Sequence, residues 1–497
     1  MRGRANTYTL VVGAVVLLSA VTPGAPAVTV FEGATLIAGD GGAPVENAAF
    51  VVEGARVTQV GRKGEVRVPA GAARVDLTGR TVMPAIVDTH THLGRDRDAL
   101  VQDLHRRAYY GVGAVMSLGS DPGDLAFQVR EETIPGAARL RTAGRGITAP
   151  EPGRSDIPYW ITSPQEGRAA VRELAGRRAD FVKIWVDDRD GQYKKLTPGM
   201  YGAVIDEAHR HGLRVTAHIF ALEDAKGLLR AGVDAFAHGV RDRDVDDELV
   251  ALVRARPAVV LAPNLPDRGV RADLGWLRGS VDAAALATLQ AASTDRPEAQ
   301  KAFAIQARNL ARLAREGMTI ALGTDGNTPW APHVEMEDMV AAGMTPAQVI
   351  VAATRNSAAL LGLQDAGVIE AGRSADFIVL DANPLDDITH TRRIASVYLR
   401  GAAVSRSESE RHGARANHST PPRVNRSPLP GGAWTAGTHV RAPDPPYAGG
   451  RGIRSRKENV EPSPGALLTS TWLPYSARSL RVMVSPSPDP PNRRPVS

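Results

Sequence analysis

The 497-residue chain contains no cysteine. Disulfides, thiol nucleophiles and Cys-ligated zinc are therefore excluded. Any metal must be held by His, Asp, Glu or a modified side chain. Lysine is scarce as well. Of 60 basic residues only seven are lysines, at positions 63, 183, 194, 195, 226, 301 and 457. Where a positive charge alone is wanted, this chain uses arginine, so a lysine in an unusual setting asks for a chemical reason. Beyond the first thirty residues no stretch is long and apolar enough to cross a membrane. No glycine-rich phosphate loop follows the first predicted strand, which argues against a doubly wound nucleotide-binding sheet.

The two ends differ from the body. Residues 1–27, "MRGRANTYTLVVGAVVLLSAVTPGAPA", combine a basic start, an apolar stretch from Leu10 to Val21 and an Ala-Pro-Ala sequence. That is the pattern of a cleaved secretory signal peptide; an uncleaved anchor is the alternative. The expected location is outside the cytoplasm, secreted or periplasmic, with no stable membrane insertion after cleavage. Residues 405–497 are rich in Pro, Ser, Arg and Gly, with 14 Lys and Arg against 6 Asp and Glu. Lacking a sustained apolar period, this tail is expected to be disordered, and it reads like arbitrary GC-rich coding to which no function attaches. It also carries the excess charge behind the formal +6, so the body is mildly acidic and no nucleic-acid partner is expected.

Between residues 81 and 365 short apolar runs alternate with helical patterns. Eight strands are predicted, over residues 81–88, 114–118, 139–144, 180–186, 214–219, 235–238, 258–262 and 319–323. Helices between them start and stop on local signals: Thr197 and Pro198 open one, Gly212 closes it, and Gly232 and Gly317 close two others. Helix, glycine, new apolar strand is the rhythm of a parallel α/β protein, and eight repeats predict a (β/α)8 TIM barrel. Residues 28–80 and 366–404 read instead as short strands with turns. They are expected to pair into one small β-sandwich flanking the barrel.

Polar residues fall at the ends of these strands. His90 and His92 of "VDTHTHLG" lie two apart and so share a strand face. His218 ends "RVTAHIF", His238 ends "AFAHG", and Asp325 closes "IALGTDG". Strand C-terminal ends are where barrel enzymes carry their sites. A single such histidine is commonly a hydrogen-bonded structural residue; the joint pattern points to a metal site. Lys183 lies inside the apolar run of "RADFVKIWVDD". A buried ammonium must lose its charge or find a partner. A neutral lysine can add carbon dioxide to form a carbamate, an anion with two oxygens able to bridge metals; arginine cannot. The alternative is an ion pair with Asp187 or Asp188.

The pieces "MPAIVDTHTHLG", "DFVKIW", "VTAHIF", "FAHGV", "LGTDG" and "GVIEAGRSADFIVLDANPL" together resemble the amidohydrolase superfamily, within it the imidazolonepropionase-like and Xaa-Pro dipeptidase (prolidase-like) group. The resemblance spans about residues 28–404. It implies a first metal on His90, His92 and Asp325, a second on His218 and His238, and a carbamylated Lys183 between them. Two divalent ions are expected; zinc suits this donor set, and manganese or cobalt also fit. The implied reaction is hydrolysis of C–N bonds in small substrates such as Xaa-Pro or other dipeptides or N-acyl amino acids. A metal-bridging hydroxide attacks, and Asp325 carries the proton to the leaving amine. Lactonase or phosphotriesterase chemistry, a mononuclear imidazolonepropionase-like site and a non-catalytic scaffold are the alternatives. Imidazolonepropionases lack the bridging lysine, so Lys183 favours two metals. Deamination is unsupported, because Glu223 lies five residues past His218 at a helix start. Tyr159 and His333 are expected to meet substrate, and Arg154 or Arg189 a substrate carboxylate. Homo-oligomerisation stays open.

Overall fold

The computed structural model describes residues 28–406. The predicted signal peptide and, from residue 407 on, the predicted tail lie outside the described residues. Strands from both ends of this body join in one eight-stranded sheet. Its order runs Ala402–Ala403, Ile394–Leu399, Phe377–Leu380, Thr81–Pro84, Val28–Leu36, Val45–Glu53, Arg56–Arg62, with Ala73–Asp76 pairing alongside Val28–Leu36. Alternation along these strands turns Phe31, Phe50, Val52, Phe377 and Val379 into a shared core. Phe31 stacks on Phe50 with ring centroids 5.0 Å apart, and Phe377 stacks on Tyr398 at 4.7 Å. Each half therefore contributes an aromatic pair, and each buried ring contributes roughly 2–3 kcal/mol of apolar burial.

The run predicted as one strand over residues 81–88 is two. Thr81–Pro84 pairs antiparallel with Phe377–Leu380 in the flanking sheet. Ile86–Thr91 pairs parallel with Val112–Ser117. The handover falls at Ala85, whose N–H donates to the Asp376 carbonyl at 3.0 Å; the next N–H, of Ile86, donates to Gly111 at 2.9 Å. Every residue on both sides of the break is buried, so hydrophobicity alone carried no mark of it.

The remaining strands form two parallel sheets. One orders Ile86–Thr91, Val112–Ser117 and Arg139–Thr142. The other orders Tyr159–Trp160, Ile147–Thr148, Val182–Trp185, Val215–His218, Ala235–Ala237, Val260–Ala262 and Thr319–Ile320. Backbone bonds link the two at both edges: Asp180 N–H to Thr142 O at 3.0 Å, and Thr89 N–H to Leu322 O at 2.9 Å. The short strands at 147–148 and 159–160 were not predicted.

Helices connect the strands and keep their direction parallel. Pro198–Arg210 has Thr197 as N-cap, whose hydroxyl accepts from Met200 N–H, with Pro198 in the first turn. Leu222–Ala231 ends on Gly232 at φ 101°, a left-handed conformation that a side chain would strain. Pro297–Arg315 packs Ala307, Leu310 and Leu313 inward. Among the described residues no helix is long and apolar enough to cross a membrane.

Candidate metal centre

The strand ends bring the predicted polar residues together. His90 and His92, two apart on Ile86–Thr91 and just beyond it, each place Nε2 3.0 Å from Asp325 Oδ1. His238 follows Ala235–Ala237 and sets Nε2 3.3 Å from Asp325 Oδ2. Donor atoms of His90, His238 and Asp325 all lie within 4.8 Å of one another. His218, the last residue of Val215–His218, has its ring centroid 4.5 Å from that of His238.

Lys183 sits in Val182–Trp185 with no solvent exposure, and its Nζ has no hydrogen-bond partner. The alternative ion pair is not formed. Asp187 accepts instead from Arg189 and lies 3.1 Å from His218 Nε2, while Asp188 accepts the Gly191 N–H at 3.1 Å. Two glycines make room for the Lys183 stem and the neighbouring Trp185 ring. A Cβ on Gly119, at φ 90°, would sit 2.7 Å from Lys183 Cγ, and one on Gly146 would sit 2.1 Å from the Trp185 ring.

Electrostatics prepare the set for a cation. Burial pushes the Lys183 amine down from 10.5 to about 7; Arg189 adds to this and Asp325 opposes it. Burial, then the Lys183 charge, lowers His90 to about 4. Burial with Arg189 and Lys183 lowers His218 well below the usual imidazole range, and burial with His218 does the same to His238. Loss of hydration works to raise Asp325, but His90 and His238 outweigh it and hold the carboxyl well below its ordinary value. At neutral pH His90, His218 and His238 are therefore neutral beside the Asp325 carboxylate. His238 Nε2 faces Asp325 Oδ2 without forming a hydrogen bond, and His92 Nδ1 is buried and unpartnered. An imidazole nitrogen facing a carboxylate without a hydrogen bond, close to an amine lowered to about 7, fits divalent cations held by His and Asp.

The backbone is strained here as well. Of eight non-glycine residues with positive φ among those described, four are His238, Asp325, Arg189 and Asn264. All four belong to the cluster or bond to it, the pattern of conformational cost held at a functional site.

Several supporting residues were not read from the sequence. Asn264 Oδ1 lies 3.2 Å from His90 Nδ1 and 3.2 Å from the His238 N–H. It fixes the His90 ring so that Nε2 faces Asp325. Asp88 is buried, raised to about 6 by burial, and accepts from His90 N–H and from Thr324. Glu151 accepts from Arg189 Nε at 3.1 Å and pairs with Arg154 at 2.8 Å, so both arginines expected to meet substrate are held by carboxylates. Asn264 carried one usable signal: it lies two residues past Val260–Ala262, at the same strand end as the histidines.

Two expected substrate contacts are engaged elsewhere. His333 is fully buried on helix Ala331–Ala341; its Nδ1 pairs with Thr391 Oγ1 and its Nε2 with the Tyr110 carbonyl, both at 3.0 Å. Burial lowers it to about 4. The Tyr159 hydroxyl donates to Glu173 at 2.5 Å and its ring stacks under Arg145. Neither polar end is directed at the cluster. His105, His209 and His390 likewise make local contacts with Gly136, Asp234 and Asn383.

The sequence profile of the Amidohydrolase family matches residues 81–404. Imidazolonepropionase of Deinococcus radiodurans is 27% identical over 392 residues, spanning 72% of this chain and 92% of the relative. Ochratoxinase of Aspergillus niger is 26% identical over 422 residues, spanning 73% and 82%. The crystal structure of a prolidase-like protein from Bifidobacterium longum superposes with a TM-score of 0.65 at 27% identity, covering 79% of this chain and 99% of that one.

Proposed function

The chain belongs to the amidohydrolase family and is a hydrolase acting on carbon–nitrogen bonds, and from that premise we propose that it cleaves amide bonds of small substrates, dipeptides such as Xaa-Pro or N-acyl amino acids, at a site for two divalent metals. The carrying observation is the fully buried, unpartnered amine of Lys183 beside His90, His218, His238 and Asp325. We read the parallel strands as a (β/α)8 barrel, supported by the edge-to-edge bonds that link their two sheets, and the flanking sheet as a small sandwich around its shared aromatic core.

In this reading His90, His92 and Asp325 would hold one ion and His218 and His238 the other, and Lys183, as its carbamate, would add an anionic ligand. Bound there, two zinc ions, or manganese or cobalt, supply an acidified water and a Lewis acid for the scissile carbonyl. The chain's own groups do the rest. Asp325, kept ionised by its neighbours, accepts the proton of the attacking water and delivers it to the leaving nitrogen, so that a carboxylate and an amine depart. Asn264 holds His90 in one orientation. Asp187 and Arg189 bracket His218. Phe220, its ring 4.4 Å from that of His218 and capped by Arg241, walls one side against water. The signal-like pattern of residues 1–27 supports reading this activity as one exported from the cytoplasm.

The test is a panel of Xaa-Pro dipeptides, other dipeptides, N-acyl amino acids, lactones and phosphotriesters, run with metal supplied. Turnover of the amides, removed by chelation and restored by metal, is expected. Turnover of lactones or phosphotriesters alone would end the amide reading.

A further inference from the structure

A cavity of about 320 Å³ lies at the seam between the flanking sheet and the parallel body. It is remote from the metal centre in the fold. Arg139 in its wall is the first residue of Arg139–Thr142, whereas the metal-site residues occupy strand C-terminal ends. Five arginines line it, at positions 56, 130, 139, 141 and 400, against three carboxylates. Most of that charge is already matched. Arg130 and Arg141 pair with Asp180, and Arg139 bonds Asp365 at 2.7 Å and also Asp376.

Two guanidiniums are left with neutral partners. Arg400 Nη2 donates to the carbonyls of Ile134 and Ala137 at 2.8 and 3.1 Å, and Arg56 Nη1 donates to the Gly372 carbonyl at 2.7 Å. Among the described residues neither makes a salt bridge. Arg139 Nε is buried and unpartnered. The backbone fixes Arg400 in place, at φ 51° with its N–H on Asp376 Oδ1 at 2.6 Å. Burial lowers Arg400 below the usual guanidinium range, Asp376 opposes this, and the like charge of Arg139 adds to it. Fixed guanidinium donors without carboxylate partners, around a cavity, match the geometry by which arginine recognises oxyanions.

We propose that this cavity binds a small oxyanion, phosphate or dicarboxylate, through Arg56 and Arg400 of the flanking sheet and Arg139 Nε of the parallel body. Such a ligand joins the two parts of the fold by charge-assisted bonds. Its effect is on the stability of the seam, with turnover untouched.

Calorimetric titration of the metal-loaded full chain with inorganic phosphate, and separately with malonate, tests this at constant ionic strength made up with chloride. Saturable 1:1 binding of at least one probe is expected, with Tm raised by about 2 °C at tenfold excess over Kd. Whichever probe binds identifies the chemistry. Arg400→Gln should weaken binding about tenfold, and Arg56→Gln, at the exposed first residue of strand Arg56–Arg62, should weaken it several-fold. Both should keep wild-type turnover. Absence of saturable heat, or wild-type affinity in both variants, as an anion on the metals would give, overturns the proposal.

Discussion

Replacing Lys183 by methionine should make the metal-free protein more stable while abolishing its activity. The amine is fully buried, makes no hydrogen bond, and is lowered from 10.5 to about 7, first by burial and then by Arg189. An amine whose folded-state pKa lies below its unfolded value costs stability. That cost is complete below pH 7, shrinks by about 1.4 kcal/mol per pH unit above it, and is gone beyond pH 10.5. At pH 7 it is on the order of 4 kcal/mol, and at pH 9 on the order of 2 kcal/mol. Methionine fills nearly the same volume without a charge, so the loss of packing is below about 1.5 kcal/mol. Urea unfolding of chelator-treated wild type and Lys183→Met, in buffers purged of carbon dioxide, reads the difference directly. The variant should gain stability at pH 7, and the gain should shrink by about 2 kcal/mol at pH 9. A variant less stable than wild type at pH 7, or a gain that does not change with pH, would refute the picture of a neutral, unpartnered amine.

Asn264→Leu removes the acceptor that orients His90, so metal affinity should fall roughly 10–100-fold in competition with a calibrated chelator, with the fold retained. His333→Phe leaves the Tyr110 carbonyl unpaired and removes one of two partners of the Thr391 hydroxyl, which keeps its bond to the Ile388 carbonyl; it should cost about 2 kcal/mol of stability while kcat/KM of the folded enzyme stays within twofold of wild type. A tenfold fall in kcat/KM would instead restore His333 to the substrate site. Truncation after Val404 should leave activity and Tm nearly unchanged, a loss of either showing that the tail docks on the body.

The parallel architecture and the gathering of polar residues at the strand ends were legible because each follows from periodicity or spacing. Gly212, Gly232 and Gly317 after their helices, each followed by an apolar run, marked strands. His90 and His92 were two apart, and their rings do meet the same carboxylate oxygen. What was hidden depended on partners far away in the chain. The break at Ala85 is invisible because residues on both sides are buried and only the identity of the neighbouring strand changes, Phe377–Leu380 before it and Val112–Ser117 after. His333 looked like a residue of the site mouth from its place after "TDGNTPWAP", yet its partners are Tyr110 and Thr391, more than fifty positions away on either side. Tyr159 was expected to meet substrate, but Glu173 claims its hydroxyl and Arg145 lies over its ring. Asn264 had the right position and the wrong residue type to attract notice, since an asparagine after a strand is ordinarily a turn.

The central claim is that Lys183 carries a carbamate between two metals, and carbon and metal counted on the same sample test it most directly. Protein reconstituted with zinc in ¹³C-bicarbonate should retain one labelled carbon and two zinc ions per chain, with the label on Lys183. Lys183→Arg, which keeps the charge and cannot form a carbamate, should lose the label, the second zinc and the activity together. Fully active wild-type enzyme with one zinc per chain and no retained label would contradict the account.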